Sequence, residues 1–173
     1  QDPLSDLVHV SDGGDRLTEV ELTSMACLLL VAGHETTVHL IGTGVRALLE
    51  RPDQFEALRR DRALIPGAVE EFLRVSSPAH TATLRYVAEP VQVGEVRIPA
   101  GDTVLISLLG ANHDPRRFAD PHRLDVTRPA SGHLTFGHGV HHCLGAPLAR
   151  LEAEVAFRGL IERFEVIEAD GPS

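Results

Sequence analysis

Residues 18 to 50 constrain this chain more than any other stretch. Thr18-Glu19-Val20-Glu21 has the form of a capping box, in which Thr18 and Glu21 satisfy the free N–H groups opening a helix. Helical pattern then runs to Glu50, where Arg51-Pro52 stops it. The spacing predicts a helix of about 32 residues, or about 48 Å at 1.5 Å per residue. Its centre, MACLLLVAG at 25–33, is apolar on nearly every side. Such a helix should cross the middle of a domain far larger than itself. His34 and Glu35 end the apolar run well short of the roughly 20 residues that a bilayer span needs, so no membrane span is expected.

The rest of the chain reads as shorter pieces around that helix. Helices are expected over 53–60 and 66–75, the second with Pro66 in its first turn. From Thr83 to Ser107 the pattern turns to strands, and Val91/Val93 with Val96/Ile98 around Gly94-Glu95 read as a hairpin. A loop-rich stretch with Pro115, Pro121 and Pro129 follows, then a last helix over 145–163. No repeat or low-complexity segment interrupts this order. The expectation is a single partial domain over 1–173, one piece of a mainly α domain with a small β-sheet.

A net charge of -9 argues against a phosphate-binding surface, so nucleic acid is not an expected partner. The basic residues are all arginine, which is read as genome bias as much as chemistry. Two cysteines, Cys27 and Cys143, do not make a disulfide scaffold, and a reducing, cytoplasmic compartment is expected. Cys27 reads most simply as a small buried apolar residue.

Three segments carry candidate chemistry. The first is AGHETT, 32–37, inside the long helix. Gly33 at mid-helix costs about 1 kcal/mol relative to alanine, and Glu35, Thr36 and Thr37 place polar groups after an apolar run. Gly33 allows close approach of a flat ligand, Thr36 can bond back to the helix backbone, and Glu35 beside it can pass protons. The plainer alternative is a glycine-kinked helix with a solvated glutamate. The second is EEFLR, 70–74, where Glu71 and Arg74 share a helical face and can pair. Such pairs are usually solvent-exposed and structural.

The third is FGHGVHHCLGAPLAR, 136–150. Zinc is the obvious rival, but His141, His142 and Cys143 are consecutive, so their side chains alternate in direction. No Cys-x-x-Cys exists for a redox disulfide, and no Cys-x-x-Cys-His for covalent haem attachment. A single thiolate ligand fits better. Cys143 precedes Gly145-Ala146-Pro147 and the last helix, whose positive end favours an anionic sulfur. Gly137, Gly139 and Gly145 let backbone approach that sulfur, and Phe136 can shield it from water.

FGHGVHHCLG resembles the Phe-x-x-Gly-x-His-x-Cys-x-Gly haem-binding loop of the cytochrome P450 family. AGHETT resembles that family's oxygen-activating central helix, and EEFLR its Glu-x-x-Arg helix, in family order. The HHCLGAPLAR style is similar to the soluble bacterial branch. The resemblance implies a partial P450 fold, the C-terminal haem-binding portion of a longer domain. On that resemblance, the 173 residues would not include the family's N-terminal helices, its lid or its last strands.

It further implies Cys143 as the proximal thiolate ligand of the iron of non-covalent haem b (iron protoporphyrin IX), favouring O–O cleavage. Glu35 and Thr36 would be the acid–alcohol pair delivering protons. His141 and Arg85 match positions that bind the haem propionates, and Ala32 and Gly33 would border the distal face. Glu71 and Arg74 would form a buried structural network with Arg123. Arg85 also reads as an ordinary strand arginine, and His141 as a plain loop histidine. His34, His138 and His142 read as structural or solvated.

The implied activity is monooxygenation of a small apolar organic substrate with dioxygen, electrons coming from NAD(P)H through a reductase and a ferredoxin. The rival expectation is a truncated, non-catalytic remnant that does not fold stably alone, because the long helix would keep a large apolar face uncovered.

Overall fold

The computed structural model describes residues 11, 12 and 15–168. Helix α1, Glu19–Leu49, is opened by the capping box as expected. The Glu21 N–H donates to Thr18 Oγ1 at 3.3 Å, and Glu21 Oε2 accepts from the Thr18 N–H at 2.8 Å. Pro52 then starts α2, Pro52–Arg60, because proline fits a first helical turn whose N–H would be unpartnered. A 3₁₀ turn, Arg62–Leu64, leads into α3, Ile65–Val75. After the strands come a short α4, Leu108–Asn112, and the final α5, Ala146–Arg163. The sequence did not signal α4 or the 3₁₀ turn, each only a few residues long.

The core lies where α1, α3 and α5 meet. The buried residues of α1 are Leu40, Gly44 and Leu48, four apart and so on one stripe. Against them α3 buries Ile65, Ala68, Val69, Phe72 and Leu73, and α5 buries Ala153, Phe157 and Ile161. Each such aliphatic or aromatic burial contributes about 1.5–3 kcal/mol. The Phe72 and Phe157 rings stack at 4.7 Å between centroids.

Gly44 is where those rings meet α1: a Cβ there would stand 2.6 Å from Phe157 Cζ. Alanine would gain about 1 kcal/mol of helix propensity, but overpacking two buried rings costs about 1–3 kcal/mol. Gly44→Ala is therefore expected to destabilise by up to about 2 kcal/mol, seen as a lower denaturant midpoint at unchanged slope. Gly33, with nothing within 4 Å of its would-be Cβ, lacks that packing reason for glycine.

Among the described residues the small β portion consists of three two-stranded antiparallel ladders. In chain order β1 is Ser11–Asp12, β2 Asp15–Arg16, β3 Arg85–Tyr86, β4 Val91–Val93, β5 Val96–Ile98 and β6 Thr103–Val104. The hairpin β4–β5 pairs Val91 with Ile98 and Val93 with Val96 around Gly94, whose φ of 58° suits glycine. β3 pairs with β6, Arg85 opposite Val104.

The N-terminal two thirds of α1 is uncovered. Leu28, Leu30 and Val31 are each more than 60% exposed. Cys27 is exposed too, correcting the expectation of a buried residue: apolar periodicity reports which residues want cover, not whether a neighbour supplies it. An 18-residue window of α1 reaches mean hydropathy 1.3, long and apolar enough by composition to cross a bilayer, a property the shorter run at 25–33 did not reveal. Its C-terminal end instead packs into the helical core.

Candidate functional site

Helix α3 carries two adjacent glutamates that, about 100° apart on the helix, serve two different anchors. Glu71 and Arg74, three residues apart, are both fully buried. Arg74 donates from Nε to Glu71 Oε2 at 2.7 Å and from Nη2 to Glu71 Oε1 at 2.8 Å, a bidentate fork. Its Nη1 also donates to the carbonyls of Asn112 (3.0 Å) and Pro121 (2.6 Å), and Nη2 to that of Arg123 (3.4 Å). One guanidinium thus holds the end of α4 and two points of the loop beyond it. Phe118 packs against it, with Arg74 Cζ 5.1 Å from the ring centroid.

The third partner of this network is not the Arg123 side chain. Arg123 is exposed and offers its backbone carbonyl. The second guanidinium is that of Arg128, which donates from Nε to Glu71 Oε1 at 3.1 Å and from Nη1 to the Ala119 carbonyl at 2.5 Å. Asp125 N–H completes the set on Glu71 Oε1 at 3.1 Å. A buried carboxylate has more lone pairs than one arginine fork fills, and the loop folds back at Arg128 to supply the rest. That demand follows only from the burial of Glu71, so the sequence by itself did not announce Arg128.

A second, uncharged relay runs from the same place to the cysteine loop. Asn112, fully buried, accepts the Leu134 N–H on Oδ1 at 2.7 Å and donates from Nδ2 to Thr135 Oγ1 at 2.9 Å. Thr135 in turn donates to the Leu73 carbonyl at 2.6 Å. Neither residue was singled out from sequence, because an Asn and a Thr in loops carry no periodicity and the contacts span more than twenty positions.

The loop then turns on glycine. Gly137 and Gly139 have φ of 74° and 75°, values costly for any residue with a Cβ. Gly137 N–H donates to the Leu134 carbonyl (2.8 Å), and Cys143 N–H returns to the Phe136 carbonyl (2.9 Å). Gly145 caps α5, and a Cβ on it would be 3.9 Å from Cys143 Sγ. Cys143 is exposed, flanked by Val140 and Leu144 at 98% and 90% exposure. Phe136 is half-buried and leaves the thiol open. His138, His141 and His142 are all exposed, and among the described residues no group of three or more His, Cys, Asp or Glu is placed to hold a metal ion. The zinc alternative therefore has no ligand cluster here.

Glu70, facing α5, is paired with Arg150 through Nε at 2.6 Å and Nη2 at 3.1 Å. Burial pushes the Glu70 carboxyl up, but hydrogen bonds from His133 and Arg150 outweigh it and hold the group at about 2. A carboxylate depressed from an ordinary 4.5 stabilises the fold above that pH and loses the contribution as pH falls toward about 2. Acid titration of the wild type is expected to lose up to about 3 kcal/mol from this group, a loss absent in Glu70→Gln.

On α1, Thr36 Oγ1 donates to the Ala32 carbonyl at 2.6 Å, bonding back into its own helix. Ala32, Gly33, Glu35 and Thr36 lie on the uncovered length, with Glu35 lining an open concavity beside Leu30, Val31 and His34. Arg85 is half-buried on β3. The structure thus joins Phe136 to Cys143 and Glu71 to Arg74, while Glu35 and Thr36 lie on α1, Arg85 on β3 and His141 on the cysteine loop.

A cytochrome P450 family model matches residues 2–172. The chain is 58% identical over 164 residues to the cytochrome P450 monooxygenase PikC of Streptomyces venezuelae, covering 94% of this chain and 39% of that one. It is 52% identical to the 6-deoxyerythronolide B hydroxylase of Saccharopolyspora erythraea, covering 96% and 41% respectively. The tirandamycin C-bound P450 monooxygenase TamI superposes with a TM-score of 0.94 at 55% identity, over 99% of this chain and 43% of that one. The chain therefore spans about two fifths of the length of the relatives it matches. With fold, motif order and sequence in agreement, this chain belongs to the cytochrome P450 family.

Proposed function

We propose that this chain is the haem-binding portion of a bacterial, cytoplasmic haem-thiolate monooxygenase, in which Cys143 would supply the thiolate that holds the iron of haem b. The observation that carries the reading is an exposed thiol at the head of α5, on a loop whose turns only glycine makes cheaply and whose Cys143 N–H is tied back to Phe136. These residues fit the group: the thiol is free, its neighbours Val140 and Leu144 present an apolar rim, and no acidic cluster competes for the metal among the described residues.

When bound, the haem supplies the oxygen-activating chemistry of the family. Cys143 would hold it from one side, with Phe136, Gly137, Gly139 and Gly145 keeping the loop close. Arg85 and His141 would pair with its carboxylates. Gly33 and Ala32 leave open space for a flat face, and Glu35 with Thr36 would move protons there. Glu71, Arg74 and Arg128 stay outside the chemistry and fix the loop. The uncovered apolar length of α1 supports an apolar organic substrate, as do relatives named for 6-deoxyerythronolide B and vitamin D(3) hydroxylation. Electrons would come from NAD(P)H through a reductase and ferredoxin.

The test is the reduced, CO-bound absorption spectrum of the haem-loaded protein. A thiolate-type band supports the reading, and a spectrum of free or histidine-bound haem overturns it. A second reading, a non-catalytic remnant, is favoured by the same uncovered face of α1. An upstream stop codon or frameshift would select it, and an open reading frame would reject it.

A further inference from the structure

The α3–α5 ion pair reaches further than the two helices it joins. Arg150 lies on the same stripe of α5 as the core residues Ala153, Phe157 and Ile161, so its guanidinium emerges at the top of the packed face. There Cζ sits 4.6 Å from the centroid of the Phe136 ring. On another side the His133 ring lies 5.9 Å from that centroid, its side chain only 2% exposed. His133 Nδ1 accepts the Thr135 N–H at 3.2 Å, which places the ring hydrogen on Nε2, and Nε2 donates to Glu70 Oε2 at 3.1 Å. Glu70 therefore holds two groups that both face Phe136. Phe136 is also the residue whose carbonyl receives the Cys143 N–H.

We propose that Glu70, Arg150 and His133 form a clamp that positions Phe136, and through it the backbone of Cys143, for metal ligation. This rests on the reading of Cys143 as the axial ligand. The clamp uses different charged groups from the Glu71–Arg74–Arg128 network, and the two are linked through α3 and through Asn112 and Thr135. All three are positioning residues. The arginine fork and the ring hydrogen leave Glu70 no free orientation, so Phe136 is bounded by two fixed planes. The hydrogen bond to Glu70 raises Arg150 above its ordinary range, and burial opposes that shift.

The test compares Glu70→Gln, Arg150→Met and the combined variant, which keep side-chain volume, with the unaltered holoenzyme. In the haem-free form, amide exchange at Cys143 and Gly137 is expected to rise about tenfold in either single variant, while that of Leu73 in the core of α3 holds. In the loaded form, the thiolate-type CO band should decay about tenfold faster, and the combined variant should be no worse than either single one. Arg46→Gln, in an exposed pair with Glu50, should change neither. Unchanged exchange at Cys143, additive effects, or a rise spread evenly over α3 and α5 would overturn the clamp. If the unaltered protein lacks the thiolate-type band, the ligand reading fails instead, and the exchange data still decide whether the clamp holds the loop.

Discussion

Replacing Arg74 by alanine is expected to cost more stability than any other single change considered, about 3–5 kcal/mol. The substitution leaves Glu71 ionised in a site with no exposure, its remaining cation Arg128 holding one oxygen from the edge. It also strands the carbonyls of Asn112 and Pro121, each at a cost of about 1–3 kcal/mol if water does not reach it, while that of Arg123 keeps the Arg128 Nη2 donor at 3.4 Å. Those costs overlap and do not add, but any one is a large share of a typical 5–15 kcal/mol. Denaturant unfolding of the loaded protein should show the loss, and soluble yield should fall with it. Arg74→Lys keeps the charge without the fork and should recover only part. Arg123→Ala should lie within about 0.5 kcal/mol of the unaltered protein, because only its backbone takes part. A loss at Arg123 as large as at Arg74 would contradict this assignment.

Cys143→Ser should do the reverse. The side chain is exposed and the loop is held by backbone bonds at Gly137 and Cys143, so folding stability should move by less than about 1 kcal/mol. On the proposed ligand role, the haem-loaded variant should show no thiolate-type CO spectrum, since oxygen would be a far weaker electron donor to iron than sulfur. The pair of variants separates two roles that lie in one continuous hydrogen-bonded structure: Arg74→Ala should lose the fold first and the spectrum as a consequence, Cys143→Ser the spectrum alone. Retention of a thiolate-type band in Cys143→Ser would remove this residue from the ligand role.

Much of the fold was legible in the sequence because its signals are local. The capping box at Thr18 and Glu21, the Pro52 stop, the Gly94 turn and the run of α5 all follow from neighbours within four residues. The glycine-built cysteine loop is equally local. What stayed hidden depends on contacts between distant positions. Arg128 meets Glu71 across 57 residues, and Asn112 meets Thr135 across 23. Neither partner has a pattern of its own that announces the other. Burial of the Glu71–Arg74 pair was hidden in the same way, since spacing alone describes an exposed pair equally well. Cys27 erred in the opposite direction, its apolar surroundings in sequence having no counterpart in space.

Between α4 and the 3₁₀ turn at Gly139–His141 the chain contains no helix or strand, yet it carries the anchors for Arg74, Glu71 and Asn112. With no ladder of its own, this stretch is held at points, like a rope tied at measured knots. The distances along the chain between Asn112, Pro121, Arg128 and Leu134 therefore act as a ruler. Exposed side chains between the knots can change freely, whereas adding or removing a single residue shifts every later knot and pulls the cysteine off its mark. In this loop length is under tighter constraint than letter.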